Sequence, residues 1–218
     1  MAYMDSLLLH VCCGPCSIPP VTLLNEEGRH FAILFSNSNI GSAEEYERRF
    51  SALKRFADDR KIEVREDTYD PASWEEAISV HAGVFPLITG SCDHDRNLRL
   101  RRARCGACYR FRFERLAETA FSLGYGSIST TLSISPYQFT DLLVRELDQA
   151  AKRHQVTGDF MDYRPYFTQS VQQSRELGMY RQNYCGCRYS QQEAESERKA
   201  YKSMRESGQV QKEGREHG

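Results

Sequence analysis

Short apolar runs alternate with amphipathic segments through the first two thirds of the chain. The run at 6–11 ends in a Cys/Gly/Pro loop, and the run at 31–35 is apolar throughout, so both predict buried strands. Between them and after them, apolar positions recur at helical spacing, as at Tyr46, Phe50 and Leu53, behind the N-cap candidate Ser42. Further strands are predicted at 61–66, 128–131 and 160–163. Further helices are predicted at 19–27, at 74–80, from 105 to about 123, and from 135.

This alternation predicts an α/β fold with a parallel sheet and flanking helices, followed by a helical C-terminal part. The stretch 84–104 interrupts the rhythm with many arginines and is predicted to be a loop or insertion. Beyond Gln191 the chain is almost wholly polar. We therefore expect one α/β domain over residues 1–190 and a polar tail over 191–218, helical at first and then disordered.

The composition excludes several broad classes of protein. The formal net charge of −1 gives no global field toward nucleic acid or membrane, and no apolar run approaches the length of a membrane span. The first residues lack the pattern of an export signal, so the expected location is the cytoplasm. Structural disulfides are unfavourable there, and clustered cysteines more often bind metals or take part in redox reactions.

Seven of the eight cysteines fall into three tight clusters. The clusters are Cys12-Cys13-x-x-Cys16, Cys105-x-x-Cys108 and Cys185-x-Cys187, and Cys92 stands apart. The first cluster follows the first strand directly, at the sheet edge where α/β folds bind ligands. Cys105 and Cys108 lie one turn apart at the predicted helix start, where the helix dipole favours thiolates.

Cys12, Cys13, Cys105 and Cys108 together form a usable cage for a metal centre. Adjacent cysteines such as Cys12 and Cys13 are unusual in zinc sites and favour a 4Fe-4S cluster over zinc. Cys185 and Cys187, with Gly186 between them, can close a strained, redox-active disulfide or bind a second metal. Cys16 is either a further ligand or a packing residue.

Several longer strings resemble the QueH-type epoxyqueuosine reductases over roughly Leu7 to Ser190. The matching strings are HVCCGPC at 10–16, CGAC at 105–108, TTLSISPY at 130–137, DYR at 162–164 and YRQNYCGCRYS at 180–190. The last string is the most specific, and the order of the cysteine motifs agrees with it. Gly14, where the family commonly has alanine, and the loop after the second strand depart from the family pattern.

The resemblance implies a Rossmann-like fold of the nucleotide-alpha-hydrolase type and reduction of epoxyqueuosine to queuosine in tRNA. It assigns Cys12, Cys13, Cys105 and Cys108 to a 4Fe-4S cluster, and Cys185 and Cys187 to a redox-active pair. A second, mononuclear iron is also implied, with Cys16, Cys185 and Cys187 as candidate ligands. The partners are tRNA carrying epoxyqueuosine and an electron donor.

The remaining candidate residues would protonate the epoxide oxygen or bind the tRNA substrate. Asp162, Tyr163 and Tyr184 are candidates to protonate the epoxide oxygen. Arginines crowd the segment before Cys105, and Arg104 is the candidate to contact the tRNA backbone. Thr130, Thr131 and Ser133 are expected to bind substrate ahead of a helix start.

Two alternatives compete with this assignment. One is a tRNA thiolase with a cluster on the same scaffold, which is disfavoured because Cys12-Cys13-Gly14-Pro15-Cys16 replaces a glycine-rich phosphate loop. The other is a zinc-stabilised RNA-binding module without turnover. Iron and colour distinguish the module from the reductase.

Overall fold

The computed structural model describes residues 6–207, and in these residues it contains five parallel strands and seven α-helices. The strands are β1 (Leu7–His10), β2 (Phe31–Phe35), β3 (Val64–Glu66), β4 (Ser127–Thr130) and β5 (Thr157–Gly158). They form one sheet in the order β3-β2-β1-β4-β5. The α/β, Rossmann-like architecture expected from the pattern is confirmed.

Helices cover both faces of the sheet, as parallel connections require. They are α1 (Gly14–Glu26), α2 (Ala43–Asp58), α3 (Pro71–Ile78), α4 (His94–Leu123), α5 (Thr140–Arg153), α6 (Phe167–Glu176) and α7 (Arg188–Glu206). No helix in the described range 6–207 is long and apolar enough to cross a membrane.

The central strand β1 supplies side chains to two separate cores. Leu7 and Leu9 pack on one face with residues of α1 and α2, while Leu8 packs on the other face with α4 and α5. The alternation follows from the two-residue period of a strand. Because both faces are covered, β1 is an unbroken apolar run rather than an alternating one.

Two helices begin earlier than the sequence predicted. α1 starts at Gly14, so Pro19 and Pro20 lie within it and do not open it. α4 starts at His94, so half of the predicted insertion is helical and Cys105 lies in the middle of a 30-residue helix. The expected thiolate stabilisation of Cys105 by a helix start is therefore wrong.

The C-terminal third also differs from the prediction in detail. The last strand is β5, at Thr157–Gly158, and not at 160–163; α5 begins at Thr140 and not at 135. α7 begins at Arg188 and packs on the rest of the chain through its first half, where Glu193 is fully buried. The part of the predicted tail beyond 207 lies outside the described residues.

Candidate functional site

The loops after β1, β2 and β4 meet at the carboxyl edge of the sheet, as the topology predicts. Cys12 and Cys13 follow β1, and Thr131 follows β4. Asn37, after β2, donates from Nδ2 to the carbonyl of Val11 at 2.9 Å. This bond joins the loop after β2 to the loop after β1, at the residue that immediately precedes Cys12.

A first thiol group consists of Cys12, Cys13 and Cys16, whose sulfur atoms all lie within 4.8 Å of one another. Cys13 is the N-cap of α1, and Cys16 lies in its first turn, so the helix start brings its sulfur to 2.8 Å from that of Cys13. The sulfurs of Cys12 and Cys13 are 3.8 Å apart. Two sulfurs bound to one tetrahedral metal at about 2.3 Å would be about 3.8 Å apart.

The three thiols of this group differ in their tendency to ionise. Contact with Cys13 raises the pKa of Cys12 to about 11. Burial opposes ionisation of Cys13, but contacts with Cys12, Cys16 and Gln182 outweigh burial and hold its pKa well below the usual range. Contacts with Cys12 and then Cys13, together with burial, raise the pKa of Cys16. The group therefore favours one thiolate, at the start of a helix whose dipole stabilises it.

A second thiol group comprises Cys105 and Cys108 on α4, and Cys185 and Cys187 in the loop before α7. Burial raises the pKa of Cys108 to about 11 and raises that of Cys105 further, and the charges of Cys185 and Cys187 contribute to both shifts. The four thiols are therefore close enough to interact electrostatically. Without a bound metal ion, Cys105, Cys108 and Cys187 favour the protonated state, because burial raises the pKa of each.

Two N–H donors point at sulfurs of this second group. Trp74 Nε1 donates to Cys108 Sγ at 3.3 Å, and the backbone N–H of Ser190 donates to Cys187 Sγ at 3.3 Å. The latter bond makes Cys187 the N-cap of α7. Such donors stabilise sulfur that carries negative charge, either as thiolate or as a metal ligand.

The Cys185–Cys187 loop is held against the loop after β2 by its backbone. The carbonyl of Gly186 accepts from Gly41 N–H at 3.2 Å, and the carbonyl of Cys185 accepts from Arg49 Nη1 at 3.0 Å. Gly186 has a φ of 139°, a conformation that favours glycine. Cys185 and Cys187 are both free thiols here.

Three buried arginines surround the thiol groups: Arg49, Arg104 and Arg112. Arg49 interacts electrostatically with Cys13 of the first group and Cys185 of the second. Arg112 likewise interacts with Cys12 and Cys108. Two cations thus each interact with a cysteine of the first group and a cysteine of the second.

The three proton-donor candidates differ in protonation and in exposure. Asp162 lies at the surface, and hydrogen bonds from Arg164 hold its pKa below the usual value. Tyr184 lies beside the site, with the Arg49 guanidinium 5.1 Å from its ring centroid, and burial raises its pKa. At neutral pH, Asp162 is therefore ionised and Tyr184 keeps its proton. Tyr163 is fully buried, and burial raises its pKa to about 12.

The predicted substrate-binding hydroxyls are buried and already paired. Thr130 Oγ1 accepts from Leu132 N–H at 3.2 Å and lies 2.9 Å from His10 Nδ1. Ser133 Oγ donates to the Met161 carbonyl at 2.7 Å. Thr131 Oγ1 lies 3.8 Å from Cys12 Sγ and accepts from its backbone N–H at 3.4 Å. Of the three, only Thr131 directly contacts the thiol groups.

Arg104 is not placed to meet a tRNA phosphate. Its side chain is 2% exposed, and Nη1 and Nη2 donate to the two carboxylate oxygens of Glu193 at 2.6 and 2.9 Å. The prediction of a backbone contact therefore disagrees with the geometry. Arg96 and Arg99, on the same helix, are exposed and have no ion pair among residues 6–207.

The sequence interpretation missed four residues that act on the sulfurs, two by hydrogen bonds (Trp74 and Gln182) and two by charge (Arg49 and Arg112). Gln182 belongs to the YRQNYCGCRYS string, which could have identified it. Arg49 and Arg112 lie within long helices rich in arginine, where nothing distinguishes a buried arginine from a solvated one.

The donor set fits an iron–sulfur centre. All seven clustered residues offer sulfur, the ligand of Fe–S clusters, and N–H groups and two buried cations face that sulfur. Zinc would also accept a thiolate set, so the residues are compatible with a metal ion or a cluster and do not select one metal.

Comparison with known proteins agrees with this site. A family model described as "Epoxyqueuosine reductase QueH" matches residues 7–193. Curated relatives bearing the same name include one from Thermotoga maritima, 32% identical over 86% of this chain and 91% of that protein. A second, from Dehalococcoides mccartyi, is 28% identical over 86% of this chain and 93% of its own length. A third, from Acinetobacter baylyi, is 30% identical over 85% of this chain and 80% of its own length. With its thiols gathered at the sheet edge and its whole α/β body matched, the chain belongs to the QueH family of epoxyqueuosine reductases.

Proposed function

We propose that this chain reduces epoxyqueuosine to queuosine within tRNA, in the cytoplasm, using an iron–sulfur centre. The observation that carries the proposal is the first thiol group, whose three sulfurs lie within 4.8 Å of one another, together with two buried arginines that each interact with a cysteine of both thiol groups. The reaction takes two electrons and two protons. Both C–O bonds of the epoxide break, a C=C bond forms, and the oxygen leaves as water.

Cys12, Cys13, Cys105 and Cys108 are our proposed ligands of a 4Fe-4S cluster, which when bound supplies single electrons at low potential. Cys185 and Cys187 supply the second redox function, as a dithiol pair or, with Cys16, as ligands of a second iron. Cys16 lies within 4.8 Å of the sulfurs of Cys12 and Cys13, which supports a ligand role for it rather than a packing role. An external electron donor restores the reduced state.

Tyr184 is the better candidate to protonate the leaving oxygen. It is protonated at neutral pH and lies against Arg49, which also contacts the Cys185 carbonyl. Asp162 is ionised and paired with Arg164, so it is a candidate to accept a hydrogen bond rather than to donate a proton. We therefore propose that Tyr184 donates the proton to the leaving oxygen and that Asp162 helps to bind the substrate by accepting a hydrogen bond.

We propose that tRNA contacts the exposed side of α4 through Arg96 and Arg99. Arg104 supports this surface from beneath by fixing α7 through Glu193. Thr130 and Ser133 shape the floor of the site through their buried hydrogen bonds, and Thr131 orients Cys12.

The test is anaerobic purification with iron and sulfide analysis, followed by assay on tRNA containing epoxyqueuosine. The proposal expects a brown protein, acid-labile sulfide and conversion to queuosine. Cys12→Ala should lose iron and activity, Cys185→Ala should lose activity while keeping the cluster, and exposed Cys92→Ala should match the wild type. A colourless zinc protein without turnover would instead support the RNA-binding module.

A further inference from the structure

We propose that Arg112 is the buried counter-charge of the sulfur centre, a positioning residue that holds the centre in place and sets its reduction potential. The inference rests on the proposed function only in requiring that the chain bind an iron–sulfur centre. It concerns a residue of the chain's own interior, remote from any substrate contact.

Arg112 is buried among neutral partners. It is 1% exposed, its Nε donates to the Ser36 carbonyl at 3.4 Å, and Nη2 donates to Asn37 Oδ1. Nη2 also lies 3.1 Å from His10 Nε2. Its Nη1 is fully buried and has no hydrogen-bond partner. Within the described range, no carboxylate forms an ion pair with Arg112.

The other two buried arginines of the site differ on this point. Arg49 pairs with Glu45 at 2.7 Å, and Arg104 pairs with Glu193 at 2.6 Å. Both therefore carry their counter-ion within the protein. Arg112 alone of the three brings an uncompensated positive charge beside the sulfurs.

An isolated buried charge costs several kcal/mol unless another charge compensates it. His10 cannot compensate it, because an imidazole side chain is either neutral or positively charged. The groups that can supply a negative charge are the thiols of Cys108, one turn before Arg112 on α4, and of Cys12, two residues after His10; both interact electrostatically with Arg112. One of these belongs to each thiol group, so Arg112 lies between the groups.

A bound centre supplies the missing negative charge, because cysteine ligands lose their protons when they bind a metal. Each electron added to the centre makes it more negative, and a nearby cation favours that step. Removing the cation should therefore make the centre harder to reduce and less firmly held. Substituting lysine should preserve the charge while losing the directed hydrogen bonds to Ser36 and Asn37.

The experiment compares wild type, Arg112→Met, Arg112→Lys and the control Asn37→Ala after anaerobic reconstitution with iron and sulfide. Iron content, sulfide content and the reduction potential from a redox titration followed by visible absorbance are the readouts. Arg112→Met should retain less iron and lower the reduction equilibrium constant by about tenfold or more, which is about 59 mV per tenfold for one electron. Arg112→Lys and Asn37→Ala should keep potentials close to wild type, although both lose hydrogen bonds.

Two results would overturn the inference. One is equal potentials and iron contents for Arg112→Met and wild type. The other is a lysine variant as impaired as the methionine variant, because the hydrogen bonds and not the charge would then matter. If Arg112→Met does not fold, the lysine and Asn37→Ala potentials still decide. A wild-type chain that binds no iron would instead refute the proposed function.

Discussion

At the scale of single residues, the site is defined by contacts that the cysteine pattern does not contain. The spacing of the cysteines predicted a metal centre, but it placed the helix-start thiolate at Cys105. The structure places it at Cys13, because α1 begins at Gly14 and Cys13 caps it. A Cys-Cys-Gly-Pro string can precede a helix or open one, and local sequence does not separate these cases.

Gly186 offers a residue-scale test of the Cys185–Cys187 loop. A Cβ there would lie 3.0 Å from Asn39 Nδ2 and 3.1 Å from Arg49 Nη1, and its φ of 139° strains any other residue. We expect Gly186→Ala to cost about 1–3 kcal/mol of folding free energy and to abolish turnover. Urea unfolding and the tRNA assay measure the two effects.

The matched control is Gly28→Ala, which also has positive φ but has open space around the new Cβ. It should lose a similar or smaller amount of stability and retain turnover. Equal activity in the two variants would show that the loop geometry is not needed for the reaction.

At the scale of elements, α4 shows where sequence interpretation fails. The segment 84–104 is predicted from sequence as a loop or insertion because Gly90, Cys92, His94 and many arginines interrupt the alternation of strands and helices. In the fold several of these arginines have distant carboxylate partners: Arg101 pairs with Glu197, Arg102 with Asp141 and Arg104 with Glu193. An arginine that is buried in an ion pair can be identified from sequence only if its carboxylate partner is known. These partners lie 39 to 96 residues away along the chain.

The Arg104–Glu193 pair fastens α7 to α4 and can be tested by a mutant cycle. Glu193 is fully buried, so Glu193→Ala leaves Arg104 without its main counter-ion. We expect a loss of about 3–5 kcal/mol in the free energy of unfolding. The double variant Arg104→Met/Glu193→Leu should be more stable than Glu193→Ala in urea unfolding. A double variant whose loss in free energy of unfolding equals the sum of the losses in the two single variants would contradict this electrostatic account.

A second element-scale prediction concerns Asp67, which joins the end of β3 to α4. Burial opposes ionisation of Asp67, but Arg115, donating at 2.5 and 2.6 Å, and Ser36 outweigh burial and lower its pKa. The stabilisation is therefore present above the unfolded-state pKa of about 3.9 and is lost as pH falls through the lower folded-state value.

We expect Asp67→Asn to reduce the free energy of unfolding at pH 7 by about 1–3 kcal/mol. Between pH 5 and pH 3, the variant should lose less stability than wild type does. Parallel pH profiles for the two proteins, measured by urea unfolding, would show that Asp67 carries no net ion-pair stabilisation.

At the scale of the whole molecule, the parallel sheet and its ligand edge could be predicted better than the partition of the thiols. Alternating apolar runs predicted the parallel sheet and its ligand edge, because a strand buried on both faces leaves a distinct pattern. The pattern could not show that Cys16 joins Cys12 and Cys13, or that buried arginines separate the thiol groups. Both depend on how three distant segments pack.

Metal loading should release protons from the molecule. Cys12 and Cys108 have pKa values of about 11 without metal, so both carry protons at pH 7.5 and must lose them on binding. Calorimetry of metal addition to the apo protein in two buffers of different ionisation enthalpy should report about two protons or more. Heat independent of buffer would contradict the protonation states described above.

The most direct test of the central claim is anomalous diffraction at the iron edge from crystals grown without oxygen. The account predicts iron density at the carboxyl edge of the sheet, within about 2.3 Å of the sulfurs of Cys12, Cys13, Cys105 and Cys108. Iron absent from this edge, or zinc bound by Cys12, Cys13 and Cys16 alone, would contradict it.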